Sequence, residues 1–310
     1  MEIIDLARIR SILNYPAIIE RMRDALIANS RGECDTPMPM HLDIASREAE
    51  VHMKSSYRRG GRYFALKIAC TFPHNAERGL PVGNGMMLLS SADSGEPVAL
   101  LADAGHLTDV RTAAVAAMVA REMGRTDRVL GILGTGIQAR LQARLHAEVL
   151  DLDRIWIWGR SEERAEECCR DLRGLLPRAE VSIAGSPSDV AANSRLIVTA
   201  TASREPLLYA RDLQSGTHIS AVGSDSVGKQ ELDAEILCRA ALLLVDSHRQ
   251  CEKLGELQHA PDERGRAVEI GEFCEAHREW ARSGISVCDF TGLGVEDLYI
   301  AEYCYENRPI

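Results

Sequence analysis

Apolar positions along the chain follow two rhythms. Ile18, Ile19, Met22, Ala25 and Leu26 recur at helical spacing, Pro16 suits a first helical position and Gly32 a stop. The first helix is therefore expected over Tyr15–Arg31. From Pro37 to Leu100 the pattern shortens to strands at Met38–Ile44, Glu50–Ser55, Arg62–Cys70 and Gly85–Ser91, broken by Arg59-Gly60-Gly61 and Ser94-Gly95. An alanine-rich helix then runs from Leu107 to about Met123, and Gly124 closes it.

Beyond Gly124 short apolar runs alternate with helical stretches. Strands are expected at Val129–Leu133, Ile155–Trp158, Glu180–Ile183, Leu196–Ala200, His218–Val222 and Leu242–Val245. Each gap leaves room for a helix, which implies right-handed crossovers and a parallel sheet. The last part, Val287–Ile310, does not extend that alternation plainly: Asp289 to Gly294 reads as a loop, with a helix from about Val295 that could return to the first domain. The expected fold class is α/β. A parallel-sheet domain spans 121–290, and an N-terminal α+β domain spans 1–120, joined by the segment 291–310.

A length of 310 residues suits two domains. The formal charge of −10 argues against nucleic acid or an anionic membrane as a partner. No apolar run is long enough to span a membrane, and the mixed charges of the N-terminus do not read as a signal peptide. Nine cysteines, scattered and without a CxxC, read as reduced thiols of a cytoplasmic protein, and no ligand cluster suggests a metal.

The most telling stretch is Arg128 to Ala139, RVLGILGTGIQA. A buried strand ends in Gly134-Thr135-Gly136, and a helix opens at once with Ile137 and Gln138. Gly134 permits the tight turn and Gly136 lets a pyrophosphate approach. Ala139 replaces the third glycine, and free amides at the helix start face the phosphates. The reading is dinucleotide binding. At the end of the second strand, where NAD folds place an acid, the chain has Trp158-Gly159-Arg160-Ser161. Arg160 and Ser161 suit a 2′-phosphate, which favours NADP(H), although Glu162 and Glu163 lie close by and keep NAD(H) open.

Four further places carry chemistry. Lys67 sits inside the apolar strand FALKIA, either snorkelling at an edge or aimed into a site where desolvation lowers its pKa. Arg111 opens the alanine helix, free to grip a carboxylate or to pair with Asp109 or Asp103. Asp225 follows a buried strand at its carboxyl end, where it can move a proton, steady an iminium centre or cap a turn. Thr199 and Thr201, with Val222 and Gly223, end strands on the same rim and either line the nicotinamide side or close those strands.

With these residues the chain resembles the ornithine cyclodeaminase/mu-crystallin family. The resemblance runs through LKIA (66–69), LTDVRTAA (107–114), GILGTGIQA (131–139), WIWGRS (156–161), TATASREPLL (199–208), THISAVGSDSVGKQELD (217–233), VDS (245–247) and CDFTGLGVEDL (288–298). It implies a Rossmann domain for NAD(P), an N-terminal domain that also makes a homodimer, and a cleft between them for a small amino or imino acid. It implies that Lys67 and Arg111 hold the substrate carboxylate and that Asp225 acts near the α-nitrogen. One departure concerns an arginine the family often carries in P-x-x-R: here His41 aligns with it, and Lys54 is the candidate to supply the missing charge. The implied activity is NAD(P)H-dependent oxidoreduction at a C–N bond. A cyclodeaminase that releases ammonia with bound NAD+, and a non-catalytic NADP(H)-binding protein, are the alternatives.

Overall fold

The computed structural model describes residues 1–276 and 280–308. The chain forms two compact units, Met1–Arg111 with Leu293–Ile310, and Thr112–Gly292. The division falls inside the helix His106–Glu122. Residues 309 and 310, the end of the expected C-terminal segment, lie outside the described residues.

The first unit is built on a sheet in the order Glu2–Asp5, Pro97–Ala102, Gly83–Ser91, Tyr63–Thr71, Ala49–Arg58 and Cys34–Asp35, with Met40–Ile44 also paired to Ala49–Arg58. The outermost pair, Glu2–Asp5 with Pro97–Ala102, is parallel and the others are antiparallel. The terminal helix Gly294–Glu306 lies on the three strands from Ala49 to Ser91 and against the helix Tyr15–Ser30.

Three sequence expectations need correction here. A helix over Leu6–Ile12 precedes the expected first one, because the Asp5 side chain accepts from the Arg8 amide at 2.9 Å and caps it. The strand Pro97–Ala102 was not expected. The edge strand starts at Met40 rather than Met38, beyond Pro39, which has no N–H to give to a ladder.

The second unit carries an eight-stranded sheet, parallel throughout, with Rossmann-like architecture. From one edge the order is Glu180–Ile183, Arg154–Trp158, Val129–Leu133, Leu196–Thr199, His218–Ala221, Ser286–Asp289, Leu242–Val245 and Val268–Glu269. Both faces are buried. Ile197 packs into one apolar cluster, with Val190, Ile219 and Leu243, while its neighbours Leu196 and Val198 pack into another with Ile132, Ile157 and Cys168. Later strands add to one side of Val129–Leu133 and then to the other, so the chain changes direction beside that strand, where open α/β sheets bind ligands.

Ser286–Asp289 corrects the reading of Val287–Ile310 as outside the alternation. It is a wholly buried strand inserted between His218–Ala221 and Leu242–Val245. It joins the sheet out of sequence order, and it ends in Asp289, an acid at a position with no exposure. The helix that follows begins at Gly294.

Candidate active site

In the first unit Lys67 stands on an inner strand of the sheet, directly opposite Lys54 on the neighbouring strand. The snorkelling alternative fails: Lys67 is only 2% exposed. Its Nζ lies 2.9 Å from Asp297 Oδ2. Arg111, also buried, donates from Nε to Asp297 Oδ1 at 3.1 Å and from Nη1 to Glu296 Oε2 at 2.9 Å. Asp103 accepts from the Leu107 amide at 2.8 Å. Asp297 thus bridges a lysine and an arginine that arrive from separate elements.

The terminal helix reaches this place because of Gly294. A Cβ there would lie 2.4 Å from the Ser55 carbonyl oxygen, so only glycine lets the first turn rest on that strand. Burial pushes Lys67 down from the ordinary lysine value to about 7; Asp297 opposes this, and Arg111 and Lys54 add to it. Burial alone would raise Asp297, but Lys67, Arg111 and Lys54 hold it below the ordinary carboxylate value. Lys54 is 8% exposed. Register puts His41 opposite His52, two residues from Lys54, so His41, His52, Lys54 and Lys67 share one face of the sheet. His41 itself is exposed: its Nε2 is 2.8 Å from Asp43 Oδ1, and its ring meets the His52 ring edge-on at 4.5 Å.

In the second unit the glycine turn is packed as tightly as its composition suggests. Gly134 has φ of 132°, donates to the Trp158 carbonyl at 2.8 Å, and leaves no room for a Cβ, which would lie 2.5 Å from the Ala200 oxygen. Gly136 caps the helix Ile137–His146, with open space where its Cβ would be. In the first turn Ile137 is exposed and Gln138 half-buried. Beside the turn lies a cavity of about 460 Å³, lined by Gly134, Thr135, the stretch from Trp158 to Ser161, Arg164 and the stretch from Ala200 to Ser203. That lining contains no acid; Glu162 and Glu163 are not part of it. Ser161 uses its hydroxyl to cap the next helix, accepting from the Arg164 amide at 3.3 Å. The glycine turn, the open helix start and this acid-free pocket fit a dinucleotide.

The rim residues separate by role. Thr199 is wholly buried, and its carbonyl accepts from Val222 N at 2.9 Å. Thr201 lines the cavity, with its hydroxyl committed to Glu231 at 2.7 Å. Gly223 donates to Glu231 at 3.0 Å. Asp225 is about two-fifths exposed and takes Lys229 Nζ at 2.7 Å. Sequence reasoning had passed over Glu296, Asp297, Glu231 and Arg164. Two adjacent acids so soon after Gly294 were the available signal for the first two.

The chain is similar to several known proteins. An uncharacterised cyclodeaminase of Sinorhizobium fredii is 37% identical over 279 residues, covering 87% of this chain and 84% of that one. The alanine dehydrogenase of Archaeoglobus fulgidus is 30% identical over 310 residues, covering 96% and 92%. The solved structure of Thermococcus litoralis Δ1-pyrroline-2-carboxylate reductase, in complex with NADH and L-proline, shares the fold with a TM-score of 0.91 at 24% identity, covering 99% of this chain and 97% of that one. The family model for ornithine cyclodeaminase/mu-crystallin matches residues 3–309, and the chain belongs to that family.

Proposed function

We propose that the chain is an NAD(P)H-dependent reductase or dehydrogenase acting on the C–N bond of a small α-imino or α-amino acid. The observation that carries this reading is the burial of Lys67 and Arg111 together on Asp297. Two desolvated cations in one place are expensive unless they are used, and a carboxylate ligand uses both. A nicotinamide, when bound, supplies or accepts hydride. Arg111 and Lys67 hold the substrate carboxylate, with Lys54 and His41 on the same sheet face as further contacts. Asp225 delivers the proton to the substrate nitrogen, or steadies it as an iminium, while the α-carbon gains hydride. Reduction thus consumes one hydride and one proton per imino acid.

For the cofactor, the second glycine-turn strand supports NADP(H). Arg160 and Arg164 flank the cavity where an NAD site would place an acid. NAD(H) remains the other cofactor, held by Gly134, Gly136, Ile137, Gln138, Thr201, Val222 and Gly223 through groups common to both.

A homodimer forms part of this reading. The sheet face of the first unit opposite Lys67 carries exposed Ile3, Met40, Leu42, Leu66 and Met86 in one register-linked sweep. An apolar sheet face of this kind is covered in solution, and a second copy is the partner the family resemblance implies.

The test is a panel of cyclic and open imino acids with NADPH and NADH, following cofactor oxidation and ammonia in parallel. Cofactor oxidation that depends on an α-imino acid supports the reductase. The 37% identity to a protein named as a cyclodeaminase favours a second reading, in which ornithine or lysine releases ammonia with no net cofactor change.

A further inference from the structure

Below the rim of the second unit lies a stack of three wholly buried carboxylates, Glu231, Glu256 and Asp289. None is bonded to a lysine or arginine among the described residues. Each is satisfied by backbone amides instead. Glu256 accepts from the amides of Glu231 and Leu232 at 2.7 and 3.2 Å. Asp289 accepts from those of Glu256 and Leu257 at 2.9 and 3.0 Å. Gly255 makes the approach possible, since a Cβ there would lie 2.4 Å from the Asp289 carboxylate.

Glu231 is the top of this stack and faces two loops at once. Its Oε1 accepts from the amide and the hydroxyl of Thr201, at 2.6 and 2.7 Å. Its Oε2 accepts from the Gly223 amide at 3.0 Å. The loops themselves touch: a Cβ on Gly223 would lie 2.2 Å from the Thr201 carbonyl oxygen. One loop lines the cavity beside the glycine turn, and the other leads to Asp225 two residues later. Burying an unpaired carboxylate is costly, and a well-packed apolar side chain would serve stability better. What an apolar side chain cannot do is take three donors from two loops.

Resting on the function proposed above, we propose that Glu231 is a positioning residue that locks the Thr201 loop to the Gly223–Asp225 loop, keeping the cofactor contact and the Asp225 carboxylate in one register. The lower carboxylates hold Glu231 in turn, by pinning its own amide to Glu256 and that of Glu256 to Asp289.

The discriminating variant is Glu231→Gln. It conserves volume, but its amide nitrogen cannot accept, so one of the two loops loses its partner. Amide hydrogen exchange on the cofactor-free protein, followed by NMR, reads this directly. Either Thr201 or Gly223 should exchange about tenfold faster or more, the range of a lost charged hydrogen bond, while Leu130 and Ile132 keep their rates. NADPH titration by fluorescence should show affinity weakened by about tenfold, and, where turnover is found, kcat should fall with little change in substrate KM. Glu231→Asp, which keeps a carboxyl group with two acceptor oxygens, should recover part of each effect. If Glu231→Gln does not fold, Gly223→Ala tests the same lock by wedging the loops apart, with the faster exchange expected at Thr201. Wild-type exchange at both amides in folded Glu231→Gln overturns the proposal, as does faster exchange with unchanged cofactor affinity. Exchange and binding need no turnover. A protein with the exchange effect but no activity on any imino acid would sink the proposed function and leave the lock standing.

Discussion

Asp297 Oδ2 lies 2.9 Å from Lys67 Nζ, with both side chains 2% exposed, and the other oxygen of the same carboxylate receives Arg111 Nε at 3.1 Å. One acid therefore contacts two buried cations, and Glu296 gives Arg111 a second carboxylate at 2.9 Å. Asp297→Asn leaves both without it. Breaking a buried pair in this way costs about 3–5 kcal/mol, so urea unfolding should show a large loss of stability. The carboxylate also opposes the lowering of Lys67, so its removal should drive the lysine pKa lower still.

The pH dependence follows from Lys67. Its folded value is about 7, below the ordinary 10.5, so the unfolded chain holds that proton more tightly. Stability from this group is therefore fully present above 10.5, and it is lost as pH falls from there through about 7. Lys67→Met should flatten that segment of the stability curve. Activity runs the other way: the ammonium that holds a substrate carboxylate disappears as pH rises through about 7. A profile of kcat/KM for imino acid reduction should fall above that point, and the limb should be missing in Lys67→Met.

Arg160 and Arg164 border the cavity in place of an acid. If they read a 2′-phosphate, Arg160→Ala and Arg164→Ala should each raise the KM for NADPH by about tenfold and leave that for NADH nearly unchanged. Equal loss for both cofactors would move the adenosine phosphate elsewhere. Ser161→Ala should weaken the protein by about 1 kcal/mol through its helix cap, seen in thermal unfolding.

Gly294→Ala places a methyl 2.4 Å from the Ser55 carbonyl oxygen. The first turn of the terminal helix must then shift away from the sheet, carrying Glu296 and Asp297 with it. Overpacking of this kind costs about 1–3 kcal/mol, and here substrate affinity should weaken alongside stability, measured by KM and by urea unfolding on the same variant.

How much of this was legible in the sequence depends on where each interaction closes. The parallel sheet of the second unit was readable because its strands are short continuous apolar runs bounded by glycine turns, as at Val129–Leu133. The strand Ser286–Asp289 escaped because it joins the sheet out of order and ends in an acid. Lys67 and Arg111 stood out as charges in apolar surroundings. Their partners did not: Glu296 and Asp297 look like ordinary acids in the first turn of a helix, and Asp297 meets Arg111 across 186 residues of chain. Glu231 sat inside a quoted stretch without a role, because three backbone and hydroxyl donors leave no mark in side-chain spacing. His41 was placed on the right strand, yet its exposure and its contact with Asp43 came only with the fold.

The central claim is that hydride passes between a nicotinamide and the α-carbon of a small amino or imino acid. Incubating the protein with NADPH deuterated at the transferring position and a panel of α-imino acids, then weighing the products by mass spectrometry, tests it most directly. The account predicts an amino acid carrying one deuterium at its α-carbon, made by the wild type and much more slowly by Asp225→Asn. Products without deuterium across the whole panel, with the cofactor bound, would contradict it.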